Sequence, residues 1–318
     1  MKYLVTGGAG FIGANLTETL LQQGHEVVVL DNFSTGLRHN LAGFEQYQSK
    51  FRLIEGDLRD LDTCREACHM VDYVLHQGAL GSVPRSIAHP ITTNENNVSG
   101  TLNLFIAARD ENVKRIVFAS SSSVYGNANT LPKVESMIPH PISPYAASKN
   151  ICEMYGRIFY ELYDIEIIAL RYFNVFGRRQ DPNSTYAAVI PLFVKALMRG
   201  EQPVIFGDGT QSRDFSYIDN VIEANILASR APKQACGKVF NIACGQRTTL
   251  NDLYTKICEL LNIYIEPRYV KERPGDVKHS LADISLARQI LGYEPIYDVF
   301  QGLELAIDWY RDNAQFWM

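Results

Sequence analysis

Thr6-Gly7-Gly8-Ala9-Gly10-Phe11-Ile12-Gly13 follows a short β-type run, Tyr3-Leu4-Val5. Helix-like sequence continues to Gln23, and Gly24 supplies a C-terminal stop. A second apolar run, Val27-Val28-Val29-Leu30, ends on Asp31. The order is strand, glycine turn, helix, strand, which is the context a glycine fingerprint needs before it carries weight. Gly7 and Gly8 permit the tight turn, Gly10 lets a pyrophosphate approach the backbone, and Gly13 allows the helix to pack close on the strand. The helix N-terminus offers N–H groups and the positive end of a dipole. Asp31 is placed to accept hydrogen bonds from an adenosine ribose. Its charge repels a 2′-phosphate, so NAD is expected over NADP. Phe11, Ile12 and Asn32 join Gly7, Gly10, Gly13 and Asp31 as expected cofactor contacts.

The alternation of strand and helix continues outward. Phe51–Ile54 reads as a strand ending in Gly56-Asp57-Leu58; Asp57, with Leu58 beside it, is placed to reach the adenine or to cap a helix starting at Arg59 or Leu61. Asp72–Leu75 is a strand leading into a long loop, His76 to Ser86, that contains Gln77, Gly81 and Ser82. Asn94 to Asn112 reads as a helix interrupted only by Gly100. Arg115–Ala119 is a buried strand ending in four serines, Ser120 to Ser123. Hydroxyls at a strand end are costly to bury without partners, so one is expected to donate to a substrate oxygen. Ile165–Leu170 is a further strand, with Asn174 just past its end. The pattern implies an α/β fold, a doubly wound Rossmann-type parallel sheet, with ligands at the carboxyl ends of the strands.

Ser143-Pro144-Tyr145-Ala146-Ala147-Ser148-Lys149 opens another helix, capped by Ser143 with Pro144 at its first position. Tyr145 and Lys149 are four residues apart and share a face. A phenol titrates near ~10 and is a poor base at neutral pH. A nearby ammonium, and a bound nicotinamide cation, would favour the phenolate. The pair is a candidate proton-transfer device.

Composition narrows the remaining classes. The chain has 318 residues, 46% hydrophobic and 20% charged, with a formal charge of -5. That charge gives no general basic footprint, and no nucleic-acid partner is expected. The six cysteines are scattered without a C-x-x-C pair, so buried thiols rather than a metal site are expected. Met1-Lys2 leads straight into a strand, with neither a secretory leader pattern nor a membrane-length apolar run, and the expected location is cytoplasmic.

Taken together, the glycine turn, Asp31, the serine run and Tyr145/Lys149 resemble the extended short-chain dehydrogenase/reductases, and within them the nucleotide-sugar 4-epimerases. The resemblance spans nearly the whole chain. It implies a tightly bound NAD and a UDP-sugar substrate. The catalytic serine falls on Ser121, the tyrosine base on Tyr145 and the cofactor-gripping lysine on Lys149, with Ser123 as a second hydroxyl facing the sugar. It implies transient oxidation at C4, rotation of the 4-keto sugar, and reduction from its other face. It also implies a homodimer through the helices around 96–111 and 145–163. Relatives that catalyse 4,6-dehydration place an acidic residue where Ser122-Ser123-Val124 stand, and this chain offers only hydroxyls there.

Past residue 175 the alternation weakens. The expected organisation is an NAD-binding domain over 1–175, to which later segments can return, and a smaller mixed α/β, mainly UDP-sugar-binding domain over 176–318. Helix-like Ala188–Arg199 and strand-like Val239–Ile242 are its clearest elements. Arg213 and Arg273 are the candidate diphosphate clamp, because guanidinium forks suit phosphate oxygens. By resemblance Asn174 holds the diphosphate or sugar and Asp276 a uridine ribose hydroxyl. Gly81-Ser82-Val83-Pro84-Arg85-Ser86 and the run from Phe173 to Pro182 resemble the subgroup acting on UDP-N-acetylglucosamine. Ser280 falls where epimerases restricted to plain hexoses carry a tyrosine; a small side chain there leaves room for a 2-acetamido group. Gly78, where that subgroup usually has alanine, and the serine run depart from its pattern, and the latter also resembles epimerases of uronic acids.

Overall fold

The computed structural model describes residues 1–128, 130–185, 187–272 and 277–318. The first half alternates as β1 (Lys2–Thr6), α1 (Phe11–Gln22), β2 (Glu26–Asp31), β3 (Phe51–Glu55), α2 (Leu61–Cys68), β4 (Tyr73–His76), α3 (Val83–Ala88), α4 (Pro90–Asn94), α5 (Gly100–Asp110), β5 (Arg115–Ser121), α6 (Pro144–Tyr163) and β6 (Glu166–Tyr172). The rest comprises β7 (Val175–Phe176), α7 (Val189–Met198), β8 (Val204–Phe206), β9 (Ser212–Arg213), β10 (Ser216–Tyr217), α8 (Ile218–Arg230), β11 (Val239–Ile242), β12 (Thr248–Thr249), α9 (Leu250–Leu261), β13 (Arg268–Val270), α10 (Ser285–Leu291) and α11 (Val299–Asp312).

Seven strands form one parallel sheet in the order β11-β6-β5-β4-β1-β2-β3. Consecutive side chains of each strand enter opposite layers. Tyr3, Val5, Val29, Leu75 and Val117 pack into one apolar cluster with Leu16 and Leu20 of α1 and Val221 of α8. Leu4, Val28, Val74, Ile116 and Ile167 enter the other, with Cys64 of α2, Phe105 of α5 and Phe159 of α6. Helices on both faces explain why the strands read as continuous apolar runs. Each fully buried Leu, Ile, Val or Phe contributes about 1.5–3 kcal/mol. The strand order reverses between β1 and β4, opening a crevice at their carboxyl ends.

Two local features differ from the expected elements. The helix read over 94–112 contains one wide π-type turn, Glu95–Ser99, between α4 and α5. There the Asn97 carbonyl is taken by the Thr101 hydroxyl at 2.5 Å and the Cys152 thiol at 3.2 Å. The cap of α2 is Asp60, whose carboxylate accepts from Asp62 N, rather than Asp57. By contrast α6 begins as read: Ser143 Oγ accepts from Ala146 N at 3.2 Å, and Pro144 occupies the first helical position.

β11 joins the edge of the main sheet beside β6, although it comes from late in the chain. The other late strands make three small two-stranded sheets, β7/β10, β9/β12 and β8/β13. α7, α9 and α11 pack around them, with Phe193 edge-on to Tyr254. The loops of this region stand over the carboxyl edge of the sheet, and residues from both halves line a single cavity there.

Candidate active site

The glycine turn is built by backbone contact. Gly7 has φ +65°, and a Cβ on it would lie 2.8 Å from Gly78 Cα, so the loops after β1 and β4 meet main chain to main chain. A Cβ on Gly13 would lie 2.1 Å from the Gly7 carbonyl oxygen. Helix α1 starts after Gly10 with no side-chain cap, leaving its first amides to an anion. At the end of β2 the buried Asp31 carboxylate accepts Ala9 N at 2.9 Å and Phe33 N at 2.8 Å. Burial pushes this carboxyl above its ordinary value and the two amides pull it back. Each oxygen keeps a lone pair for a ribose hydroxyl. Asp57 accepts Asn32 Nδ2 at 2.8 Å and a two-pronged bond from Arg59, which hold it well below the usual carboxylate range. This cradle, closed to any Cβ and rimmed by a carboxylate, fits a dinucleotide with free ribose hydroxyls.

Across the crevice, β5 and α6 bring the reactive groups together. Ser121 lines the same cavity as the Tyr145 phenol and pulls its pKa down, while its Oγ accepts Ser123 N at 3.2 Å. Lys149 Nζ donates to the Ala119 carbonyl at 2.8 Å and lies 6.0 Å from the centre of the Tyr145 ring. The sequence reading expected the ammonium to lower the Tyr145 pKa. In the protein alone burial dominates and raises it, and the lowering partner is Ser121. Burial likewise pulls the Lys149 ammonium down, with Glu153 and Cys152 acting the other way.

These groups share a cavity of about 940 Å³. Every described residue expected to touch cofactor or substrate lines it except Ser82, whose hydroxyl instead caps α3 by accepting from Arg85 N at 3.1 Å. Arg273 and Asp276 lie outside the described residues. The Ser123 hydroxyl is buried on the cavity wall without a protein partner among the described residues, as suits a group that meets a ligand. Asn174 is held at φ 35° by its own Nδ2 bond to the Asp214 carbonyl at 3.0 Å, an unusual conformation that aims the loop after β6 at the cavity. Arg213 donates to the Ser212 and Lys278 carbonyls, which fix its fork beside Ser280.

A second layer supports the trio and was not read from the sequence. Glu153, two turns beyond Tyr145 on α6, accepts the Ser120 hydroxyl at 2.5 Å and is gripped by Arg171 at 2.8 and 2.7 Å. The i, i+4, i+8 spacing of Tyr145, Lys149 and Glu153 was a usable signal. Arg179 lines the cavity while binding Glu18 and Asn15 of α1, tying the loop after β7 to the cofactor helix. Only the fold brings those partners together.

A dinucleotide cradle facing a Ser/Tyr/Lys trio defines an NAD-dependent enzyme that exchanges a proton and a hydride with an alcohol. The chain matches the NAD dependent epimerase/dehydratase family model over residues 3–243. It is 36% identical over 312 residues, 98% of each chain, to a putative UDP-glucose 4-epimerase of Methanocaldococcus jannaschii. Among solved structures it resembles the UDP-N-acetylglucosamine 4-epimerase from Methanobrevibacter ruminantium M1 in complex with UDP-N-acetylmuramic acid (43% identity, TM-score 0.92, 98% of both chains). It also resembles the UDP-glucose 4-epimerase of Thermotoga maritima with UDP-glucose (36% identity, TM-score 0.92, 99% of this chain and 100% of the other). The chain belongs to the NAD dependent epimerase/dehydratase family. It is an isomerase of the UDP-sugar 4-epimerase kind, and NAD is its cofactor.

Proposed function

We propose that the enzyme interconverts UDP-N-acetylglucosamine and UDP-N-acetylgalactosamine. The observation that carries the choice of sugar is Ser280: a small, half-buried side chain on the wall of the cavity that holds Tyr145, Ser121 and Arg213. A 2-acetamido group needs volume there that an aromatic side chain would fill. The Methanobrevibacter neighbour, a UDP-N-acetylglucosamine 4-epimerase, supports the same reading.

Bound NAD supplies a reversible hydride acceptor for C4 of the sugar. Gly7, Gly10, Phe11, Ile12, Gly13, Asp31, Asn32, Asp57, Leu58 and Gln77 would hold it, the uncapped amides of α1 serving its pyrophosphate and Asp31 a ribose hydroxyl. Tyr145 as phenolate takes the proton of the 4-hydroxyl and later returns it. Ser121 donates to the same oxygen and stabilises the phenolate between turns. Lys149, fixed by the Ala119 carbonyl, would hold the nicotinamide ribose and adds positive potential near Tyr145. Ser123 meets a second sugar hydroxyl. Asn174, Arg213 and Arg273 hold the diphosphate while the 4-keto sugar turns over, and Asp276 holds the uridine ribose. The organisation is a cofactor domain over 1–175 and a mainly substrate-binding part over 176–318. The working form is a cytoplasmic homodimer paired through the helices around 96–111 and 145–163, where exposed Met154 and Leu162 on α6 supply apolar surface.

A second reading, UDP-glucose 4-epimerase, is favoured by the Thermotoga neighbour. Purified enzyme incubated with UDP-N-acetylglucosamine or UDP-glucose, without added NAD, and followed by proton NMR separates the two. Faster epimer formation from the acetamido sugar is the expected result. Preference for UDP-glucose would replace this reading by the second.

A further inference from the structure

One cation on the cavity wall has no task in the mechanism above. Lys133 is 3% exposed and lines the cavity. Its N–H donates to the Leu281 carbonyl and its carbonyl accepts from Asp283 N, each at 2.8 Å, so it forms a one-residue parallel bridge with Ala282. Extended backbone alternates its side chains, so Lys133 lies on the same face as Ala282 and Ser280. Its ammonium donates to the Ala128 carbonyl. Among the described residues no carboxylate pairs with it. The two acids nearest along these segments are engaged elsewhere: Glu135 accepts Asn241 N and Asp283 accepts Ser285 N, each at 2.8 Å. Burial pulls the ammonium below its ordinary value, and no anion among the described residues opposes the shift. The buried arginines contrast with it: Arg115 pairs with Glu166 and Arg171 with Glu153, each at 2.7 Å.

With one carbonyl acceptor and no carboxylate among the described residues, the ammonium of this buried side chain keeps two donors and a charge that those residues do not balance, a costly arrangement. It is reasonable on the wall of a ligand cavity if the ligand brings the counter-charge. We propose that Lys133 is a subsite for a carboxylate carried by the sugar, so that the cavity accepts an acidic UDP-sugar of the uronate class as well as a neutral one. This rests on the UDP-sugar 4-epimerase reading and extends it. The diphosphate is assigned to Arg213, which lies on the same wall, so the test must separate a sugar carboxylate from a phosphate contact.

The experiment compares wild type with Lys133→Met on UDP-N-acetylglucosamine and on UDP-N-acetylglucosaminuronic acid, with kcat and KM from proton NMR and thermal unfolding in parallel. One charge-assisted hydrogen bond is worth ~10–100-fold. The ratio of kcat/KM for the acidic over the neutral sugar is expected to fall by that factor, mainly through KM. Lys133→Arg should restore part of it. Thermal stability should hold or rise, because the substitution removes an unbalanced charge. An unchanged ratio, with both sugars losing equally, would assign Lys133 to the diphosphate or to loop structure and overturn the subsite. Wild type that epimerises the neutral sugar but neither binds nor turns over the acidic one would overturn the subsite while leaving the epimerase reading intact. Turnover of no UDP-sugar would overturn both.

Discussion

The Glu153 carboxylate accepts the Ser120 hydroxyl at 2.5 Å, directly beside the serine that meets Tyr145. Arg171 from β6 grips both oxygens of the same carboxylate, and its guanidinium lies 4.6 Å from the centre of the Tyr125 ring. The network fastens α6 to the ends of β5 and β6 beneath the site. Glu153→Gln takes from the buried Arg171 charge the carboxylate that is hydrogen-bonded to it, leaving only the more distant Glu135 in range, and a loss of about 3 kcal/mol in urea unfolding is expected. Replacing both residues by methionine should recover most of it, since the uncompensated charge disappears. Equal loss in the single and double variants would show that shape rather than charge is responsible.

The buried Tyr145 phenol sits above its ordinary value, and Ser121 is the partner that pulls it down. Tyr145→Phe should therefore reduce epimerisation by ~10²–10⁴-fold while the protein still carries NAD, measured by NMR assay and by cofactor extraction. Ser121→Ala removes the group that lowers it. The midpoint of the rising limb of the kcat profile should then move to higher pH, because the phenolate forms only at higher pH. A profile that does not move would mean that Ser121 acts on the sugar oxygen alone.

Much of this site was legible because its chemistry is local. The glycine turn, Asp31 at a strand end and Tyr145/Lys149 on one helix face each depend on fewer than about ten neighbouring residues and on regular periodicities. What escaped depends on long-range pairing. Lys133 reaches the cavity wall only because it bridges to Ala282, and Arg171 meets Glu153 only through the packing of β6 on α6. The return of β11 to the sheet edge is equally non-local. The position of the α2 cap turned on three aspartate-rich residues, Asp57, Asp60 and Asp62, among which the sequence gives little preference.

His76, at the end of β4, is fully buried between two threonines: Nδ1 lies 2.6 Å from Thr6 Oγ1 and Nε2 2.9 Å from Thr101 Oγ1. Thr101 donates to the Asn97 carbonyl, so its oxygen is left to accept from Nε2–H, and His76 is neutral. Burial drops this imidazole to about 3. The unfolded chain binds the proton near ~6.5. Its contribution is thus present above the unfolded value and is lost as pH falls from there toward the folded one. Between pH 7 and pH 4 wild type should lose about 3 kcal/mol relative to His76→Gln. Asp214, which burial raises to about 6, titrates in both proteins and cancels in the difference. Urea unfolding of the pair at several pH values gives the slope; parallel curves would mean that His76 is already solvated or charged in the native state.

Ser280 offers the sharpest check on the sugar. Its N–H donates to the Ser212 carbonyl at 3.0 Å, which holds the segment against β9, so its side chain cannot retreat far from the cavity. Ser280→Tyr adds an aromatic ring where the proposed acetamido group lies. Overpacking of this kind costs about 1–3 kcal/mol, a factor of roughly 5–150 in kcat/KM. The loss should fall on UDP-N-acetylglucosamine and spare UDP-glucose, whose 2-hydroxyl needs no such volume. Measured on both sugars, the ratio of the two kcat/KM values should therefore swing toward UDP-glucose. If both fall together, the ring blocks the diphosphate or the path into the cavity and Ser280 does not read the C2 substituent; if neither falls, that wall stands away from the sugar.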